Sequence, residues 1–385
     1  MARSVTHMQT PGPLTGIRIL EIGGIGPTPF AGMMLADLGA DVIRIDRPGQ
    51  PGHPVLNRNR RSIVIDLKQP RGVELVTTLA ARCDATIEGY RPGVAERLGV
   101  GPDALLAANP ALVYGRMTGW GQDGPLAQAP GHDINYIALS GALHAIGPAD
   151  GDPVVPLNLI GDFGGGGMLL AFGVVSGLVQ AKMSGTGQVV DAAMVDGSAL
   201  LMAMTYGFLG QGRWQDQRGV NRLDGGAPWY RVYRCADDEH LAVGCVEPQF
   251  YANLLRVLGL VDDPEFARQN DVEVWPLMHK RLEELFLTRP RDVWARLFDG
   301  QEACVTPVLS MREALEHPHN VARRTFTRDE SGIPQPMPGP RFSMTPPAHP
   351  RPAPTVGAQT REVLVDSGLD STAIDDLLLA GVISA

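Results

Sequence analysis

Short β-branched runs alternate with helix-length segments through the amino-terminal part of this chain, and that alternation narrows the fold more than any other feature. Ile17-Arg18-Ile19-Leu20-Glu21-Ile22 ends at Gly23-Gly24, a helical pattern runs from Phe30 to Leu38 and stops at Gly39, and Val42–Ile45 is a second strand. Ser62–Leu67 is a third, and Pro70 stands where the first position of a helix tolerates proline, opening a helix to Ala81. Ala85–Glu88 and Leu112–Met117 continue the series. Strands alternating with helices of this length pack as right-handed βαβ units, so the expected class is α/β with a parallel sheet.

The pattern then changes. Tyr230–Cys235, the polar turn Ala236-Asp237-Asp238-Glu239, and His240–Cys245 predict an antiparallel hairpin, followed by helices over Trp275–Leu287 and Pro290–Phe298. This places a large domain over 1–224, a smaller α+β domain over 225–316, and a return to the large domain over 317–385. Pro334–Pro354 holds nine prolines in 21 residues, which suits an extended crossing rather than a helix. Two short helices, Thr360–Ser367 and Ser371–Leu379, close the chain, with Ser371 as the expected N-cap of the second. No internal repeat is visible.

With 385 residues, 44% hydrophobic and 19% charged, the chain can fill a sizeable core. Its net charge of −9 argues against nucleic acid as a partner, and any polyanionic ligand must be held by a local basic cluster. The four cysteines, at 83, 235, 245 and 304, have no Cys-x-x-Cys spacing, so free thiols are expected and neither a zinc knuckle nor a redox pair is encoded. The apolar runs Met168–Val179 and Ala199–Met204 are too short and glycine-interrupted for a bilayer and read as buried helices. The first ten residues carry no apolar signal core, and the terminus Val382-Ile383-Ser384-Ala385 is not a peroxisomal tripeptide, so the cytoplasm is the expected location.

The loop Gly24-Ile25-Gly26-Pro27-Thr28-Pro29 begins like a dinucleotide fingerprint, and Asp46 follows at the end of the second strand. Pro29 replaces the third glycine and Pro27 removes an amide donor, which argues against NAD. The loop is then either a turn or part of another ligand's wall.

Several motifs, in order, resemble one family. Gly12-Pro13-Leu14-Thr15-Gly16-Ile17-Arg18-Ile19-Leu20-Glu21, Leu35-Ala36-Asp37-Leu38-Gly39-Ala40-Asp41-Val42-Ile43-Arg44-Ile45, Glu88-Gly89-Tyr90-Arg91-Pro92-Gly93 and Gly161-Asp162-Phe163-Gly164-Gly165-Gly166 are similar to family III CoA-transferases. Gly131-His132-Asp133-Ile134-Asn135-Tyr136 and Gly244-Cys245-Val246-Glu247-Pro248-Gln249-Phe250-Tyr251 resemble the family's racemase branch, since its transferases usually lack that histidine. The resemblance implies a Rossmann-like large domain built from both ends of the chain, a small domain between, and a homodimer whose subunits interlock like chain links. It implies an isomerase of lipid metabolism that interconverts the (2R) and (2S) forms of 2-methylacyl-CoA by 1,1-proton transfer.

Such chemistry needs a base on each face of the α-carbon and donors for the enolate oxygen. His132 and Asp162 are the expected bases: histidine titrates near neutrality, and burial raises a carboxylate toward that range. Their plainer roles would be a core histidine and a helix N-cap. Backbone N–H groups at the start of the Asp162 helix are the expected oxyanion donors, and glycines 164–167 would let a thioester approach the backbone. The resemblance makes Glu247 the carboxylate that orients His132, reaching it in cis or from the other subunit. Otherwise it is an ordinary acid before a helix. Asn158 is placed to support Asp162 by a hydrogen bond, and Asp133 either contacts substrate or braces its loop.

For the CoA phosphates, Arg47, Arg91 and Arg97 follow predicted strands at the crevice of the sheet, with a solvated surface charge as the alternative for each. Ile65-Asp66-Leu67-Lys68, Gly89 and Tyr90 complete the nucleotide pocket by resemblance, with Gly131, Ile134, Asn135 and Tyr136 beside the substrate. Asn59-Arg60-Arg61 either adds charge or is a solvated loop. Met194, Met202 and Met204 form either an adaptable acyl surface or ordinary core. No cofactor or metal is expected, CoA being part of the substrate. The acyl chain stays open among steroid side chains, branched fatty acids and aryl-propionates. Two other readings compete: a CoA-transferase with Asp162 as acyl-carrying nucleophile, and an inactive CoA-binding protein. A transferase has no use for His132, and an inactive relative would have lost one of His132, Asp162 and Glu247.

Overall fold

The computed structural model describes residues 11–49 and 52–384. The ten residues read above for a signal segment, and Ala385 of the terminal tripeptide, lie outside the described residues. The β-branched runs form β1 (Arg18–Ile22), β2 (Asp41–Asp46), β3 (Arg61–Ile65), β4 (Ala85–Glu88) and β5 (Val113–Thr118). A further strand, β6 (Gln188–Ala193), has an exposed first half and a sequence that gave little signal. The six are parallel in the order β3-β2-β1-β4-β5-β6. Beside β3 lies an antiparallel edge strand, Ile383–Ser384, so both ends of the chain build one sheet.

Every residue of β3, β4 and β5 is buried, as a parallel sheet covered on both faces requires. Alternation along β1 divides the core: Leu20 and Ile22 join Ile43, Ile63, Leu75, Tyr114 and Leu364 on one face, while Ile19 joins Leu35, Val42, Ile87, Leu170 and Val174 on the other. The helix after β1 starts at Pro27 rather than Phe30, because its first turn needs no N–H partners and so accepts both Pro27 and Pro29. The last helix is capped by Asp370, whose carboxylate accepts the Ala373 N–H, and not by Ser371. Over 334–354 only Pro334–Pro336 is regular, pairing with Phe326–Arg328.

Asn59-Arg60-Arg61 is neither a solvated loop nor a free source of charge. Arg60 is fully buried on Glu21, Arg61 pairs with Asp41 and Asp366, and the Asn59 side chain donates to Asp37. The adjacent Arg58, also buried, bridges Asp37 to Gln335 and the Pro336 carbonyl, tying the extended crossing to the amino-terminal helix.

The two apolar runs read as buried helices are only partly so. Leu159–Ser184 is one continuous 26-residue helix, apolar and long enough to cross a membrane by length and composition, with 39% of its most apolar window buried. Leu170, Ala171, Val174, Leu178 and Ala181 face the core, whereas Met168, Phe172, Val179 and Met183 are exposed. Leu200 and Leu201 are exposed as well, and the helix Ala203–Gly210 buries none of its residues.

The chain divides into two compact units. The larger takes the described residues of Met1–Ser140, Leu157–Leu201 and Val321–Ala385; the smaller takes Gly141–Pro156 and Met202–Asn320. The sequence set the start of the small domain at 225, where the hairpin pattern begins. The unit also includes the flanking pieces, joined by such bonds as Arg218 Nε to the Gly151 carbonyl. Its sheet is β7 (Tyr230–Arg234), β8 (His240–Gly244) and β9 (Val305–Pro307), all antiparallel, over a core of Trp229, Tyr233, Phe266, Phe286 and Trp294.

Candidate active site

The strand order reverses between β1 and β4, and a cavity of about 730 Å³ opens at the carboxyl ends of β2, β1 and β4. Its wall includes Gly23–Gly26 after β1, Asp46 and Arg47 after β2, and Gly89 and Tyr90 after β4, with Asn158 and Phe163 at another edge. Positive φ at Gly23, Gly24 and Gly26 bends the chain from β1 into the helix, so the broken glycine motif is both a turn and a cavity wall. Asp46 is engaged within the protein, accepting from Arg44 Nε and Ser62 Oγ on its two oxygens at 2.7 and 2.6 Å.

Asp162 lies at this cavity: a Cβ on Gly26 would stand 3.3 Å from its Oδ2. It occupies the first turn of a π-helix, Leu159–Met168, whose N-cap is Asn158, so Asp162 itself is no N-cap. Wide-turn helices of this kind gather at functional sites. Asn158 Nδ2 donates to Asp162 Oδ2 at 3.1 Å, and Leu157 just before it is held at φ 58. Burial raises the Asp162 carboxyl above its ordinary value, as does the charge of Asp133, while Asn158 and His132 pull it down. His132 is therefore an electrostatic neighbour of Asp162. It is the exposed N-cap of the helix Asp133–Leu139, and its N–H donates to Asn135 Oδ1 at 3.0 Å.

Two expectations about this helix start are corrected. The Asp162 N–H is not a free oxyanion donor, because it already donates to Asp133 Oδ2 at 2.7 Å. The glycine run serves packing. A Cβ on Gly165 would meet the Ser198 nitrogen at 2.6 Å, and one on Gly167 would meet the Pro27 oxygen at 2.7 Å.

Around the pair, Asp133 is buried and braces Asp162, leaving its Oδ1 buried without a partner among the described residues. Tyr136 is a brace too. Its hydroxyl donates to the Gly131 carbonyl, and its ring sits edge-on to Trp120 at 4.8 Å. Gly119 and Gly131 are the places where a side chain would strike that ring. Burial and the charge of Asp162 raise the Tyr136 phenol, which Arg91 opposes. Ile134 and Asn135 are exposed on the same helix.

Arg47 lines the cavity, and Arg91 lies within electrostatic reach of Tyr136. Arg97 ends the short helix Val94–Arg97. All three are exposed and, among the described residues, none pairs with a carboxylate, unlike Arg44, Arg58, Arg60 and Arg116. Ile65-Asp66-Leu67-Lys68 does not line the cavity. Ile65 is buried in β3, one strand beyond β2, Leu67 packs on the core, and Asp66 accepts the Lys68 N–H. The methionines are not gathered either: Met194 is core, Met202 lines a cavity of about 680 Å³ in the smaller unit, and Met204 is exposed. Glu247 belongs to the smaller unit, where it is the exposed N-cap of the helix Pro248–Leu258; burial, and then the Glu247 charge, raise the Cys304 thiol.

The sequence reading passed over His53, Leu56 and Asn57, which line the cavity from a loop without regular pattern. It also passed over Glu88, which stood inside a quoted motif. Glu88 is fully buried at the end of β4, accepts the Tyr90 N–H at 2.6 Å and Arg116 Nε at 3.1 Å, and burial pushes its carboxyl up to about 7. Among the described residues no three His, Cys, Asp or Glu side chains gather to hold a metal ion.

Residues 14–360 match the sequence profile of CoA-transferase family III. The chain is 45% identical to alpha-methylacyl-CoA racemase of Mus musculus, over 94% of this chain and 95% of that one. It is 43% identical to alpha-methylacyl-CoA racemase of Homo sapiens, over 94% and 96%. In fold it is similar to a CAIB/BAIF family protein from Brucella suis, with a TM-score of 0.78 at 24% identity, covering 93% of this chain and all of that one.

Proposed function

This chain belongs to CoA-transferase family III, and we propose that within it the protein is an alpha-methylacyl-CoA racemase, interconverting (2R)- and (2S)-2-methylacyl-CoA. The observation that carries the reading is Asp162 beside the cavity wall at Gly26, its carboxyl raised by burial and within electrostatic reach of His132. A racemase needs one group that takes the α-proton and another that supplies one to the opposite face, and each must change protonation state near neutral pH. Burial moves Asp162 toward that condition, and Asn158 holds its oxygen in place.

CoA is held through its phosphates by Arg47, Arg91 and Arg97, which are exposed and, among the described residues, pair with no carboxylate. Glu247, in cis or from the other subunit, orients His132. Proton transfer at carbon calls for no redox group, and the protein works without cofactor or metal. It acts in the cytoplasm as a homodimer of interlocked subunits. The apolar side chains left exposed on one chain, Phe172, Met183, Leu200 and Leu201, are of the kind that a second copy covers.

The test is incubation of one pure epimer of a 2-methylacyl-CoA in D₂O, without any acceptor acid. Deuterium should enter the α-carbon and the epimer should drift to a mixture. An absolute requirement for a free carboxylic acid, or loss of activity on exhaustive chelation, would contradict the reading.

A further inference from the structure

We propose that Asp133 is a positioning residue for proton transfer, fixing the Asp162 peptide through its Oδ2 and setting by its charge how firmly Asp162 holds the migrating proton. The proposal rests on the reading of Asp162 as a base. Asp133 is 5% exposed and its Oδ2 accepts the Asp162 N–H at 2.7 Å. The fit leaves no slack: a Cβ on Gly161 would stand 2.6 Å from that same oxygen, so glycine is needed there. The other oxygen, Oδ1, is buried without a partner among the described residues. Asp133 is the carboxyl group bonded directly to the Asp162 peptide, so it acts on Asp162 at short range.

The charges acting on Asp162 are Asp133, which opposes its ionisation, and His132, which favours it. Tyr136, on the helix that carries Asp133, feels Asp162, Arg91 and Asp133 together. The helix Pro27–Asp37, packed on the other side, contributes Asp37, which is tied to Arg58. Met194–Leu201 contributes Asp196, which acts on Asp191 of β6, and β5 contributes Arg116, engaged by Glu88 and Glu96. Burial is the larger cause of the raised Asp162 carboxyl; Asp133 adds to it and, through its bond to the Asp162 N–H, also aims it.

The experiment isolates Asp162 by working in a His132→Ala background, where solvent exchange of one epimer reports on Asp162 alone. Exchange should rise with pH as Asp162 ionises. Adding Asp133→Asn, which keeps an oxygen for the Asp162 N–H but removes the charge, should move that rise to lower pH and lower the plateau roughly 3- to 10-fold, since a weaker base abstracts more slowly. Affinity for CoA should be unchanged. Asp133→Ser, which also keeps an oxygen acceptor, serves as the second variant should Asn not fold. A rise at the same pH in both variants overturns the Asp133 proposal while leaving Asp162 as base. Absence of exchange in the His132→Ala parent overturns both.

Discussion

Asp162 and His132 owe their chemistry to what surrounds them. Burial holds the Asp162 carboxyl above its ordinary value, and Asn158 and Asp133 fix its oxygen and its peptide. The sequence made His132 legible because a histidine between glycine and an acid at a helix start is poorly explained as core, and the structure puts it at an exposed N-cap. It did not show that Tyr136 is also a brace, because that role depends on its neighbours Gly119, Trp120 and Gly131. Gly26 is the wall glycine that faces the Asp162 carboxylate, and its φ is 62. Gly26→Ala should reduce turnover roughly 10- to 100-fold by displacing Asp162 from its working position. Steady-state kinetics against CoA affinity checks this; equal loss in both would place the damage elsewhere.

At the scale of elements, the strands were readable because β-branched runs ending in glycine have few other fates, and the helices because prolines mark their first turns. The π-helix was not readable: Leu159–Met168 carries no pattern distinguishing it from an α-helix, and its form follows from packing against the helices Pro27–Asp37 and Met194–Leu201. Gly165→Ala should therefore destabilise by about 1–3 kcal/mol, the usual cost of overpacking a filled contact. Thermal unfolding measures this, and an unchanged midpoint would mean that the contact can give. The arginines proposed for the CoA phosphates act on binding rather than on turnover. Arg91→Ala and Arg97→Ala should weaken every CoA thioester by a similar factor, about 1.5–3 kcal/mol each, as lost charge-assisted phosphate contacts do. Calorimetric titration with CoA and two unlike acyl-CoAs decides it, because a loss confined to one acyl chain would place the arginine beside the wrong moiety.

Across the whole molecule, buried charge ties distant segments together and links stability to pH. Glu88, raised from 4.5 to about 7 by burial, keeps a proton in the folded chain that the unfolded chain releases between those values. Stability should therefore fall as pH rises through that window, by roughly 3 kcal/mol from this one group. Glu88→Gln removes the titration, so the unfolding midpoint of the natural protein should drop relative to that variant from pH 5 to pH 8; a constant gap would contradict it. The sequence could not have shown this, because burial of Glu88 depends on β5 and on Arg116, 28 residues away. Nor did it show the extent of the smaller unit, whose flanking pieces join by contacts rather than by pattern. What it did single out was His132 and Asp162, the pair proposed for proton transfer, and two-base transfer is the claim on which the rest depends. NMR-followed deuterium uptake into separate R and S thioesters by His132→Ala and Asp162→Ala tests it most directly. Each variant should lose racemisation roughly 10²- to 10⁴-fold yet keep exchange on one epimer, and the two should keep opposite epimers, with Glu247→Gln a milder form of the His132 variant. Loss of exchange on both epimers in Asp162→Ala, together with an acyl adduct trapped on Asp162 of the natural protein, would contradict two-base transfer and make Asp162 a nucleophile.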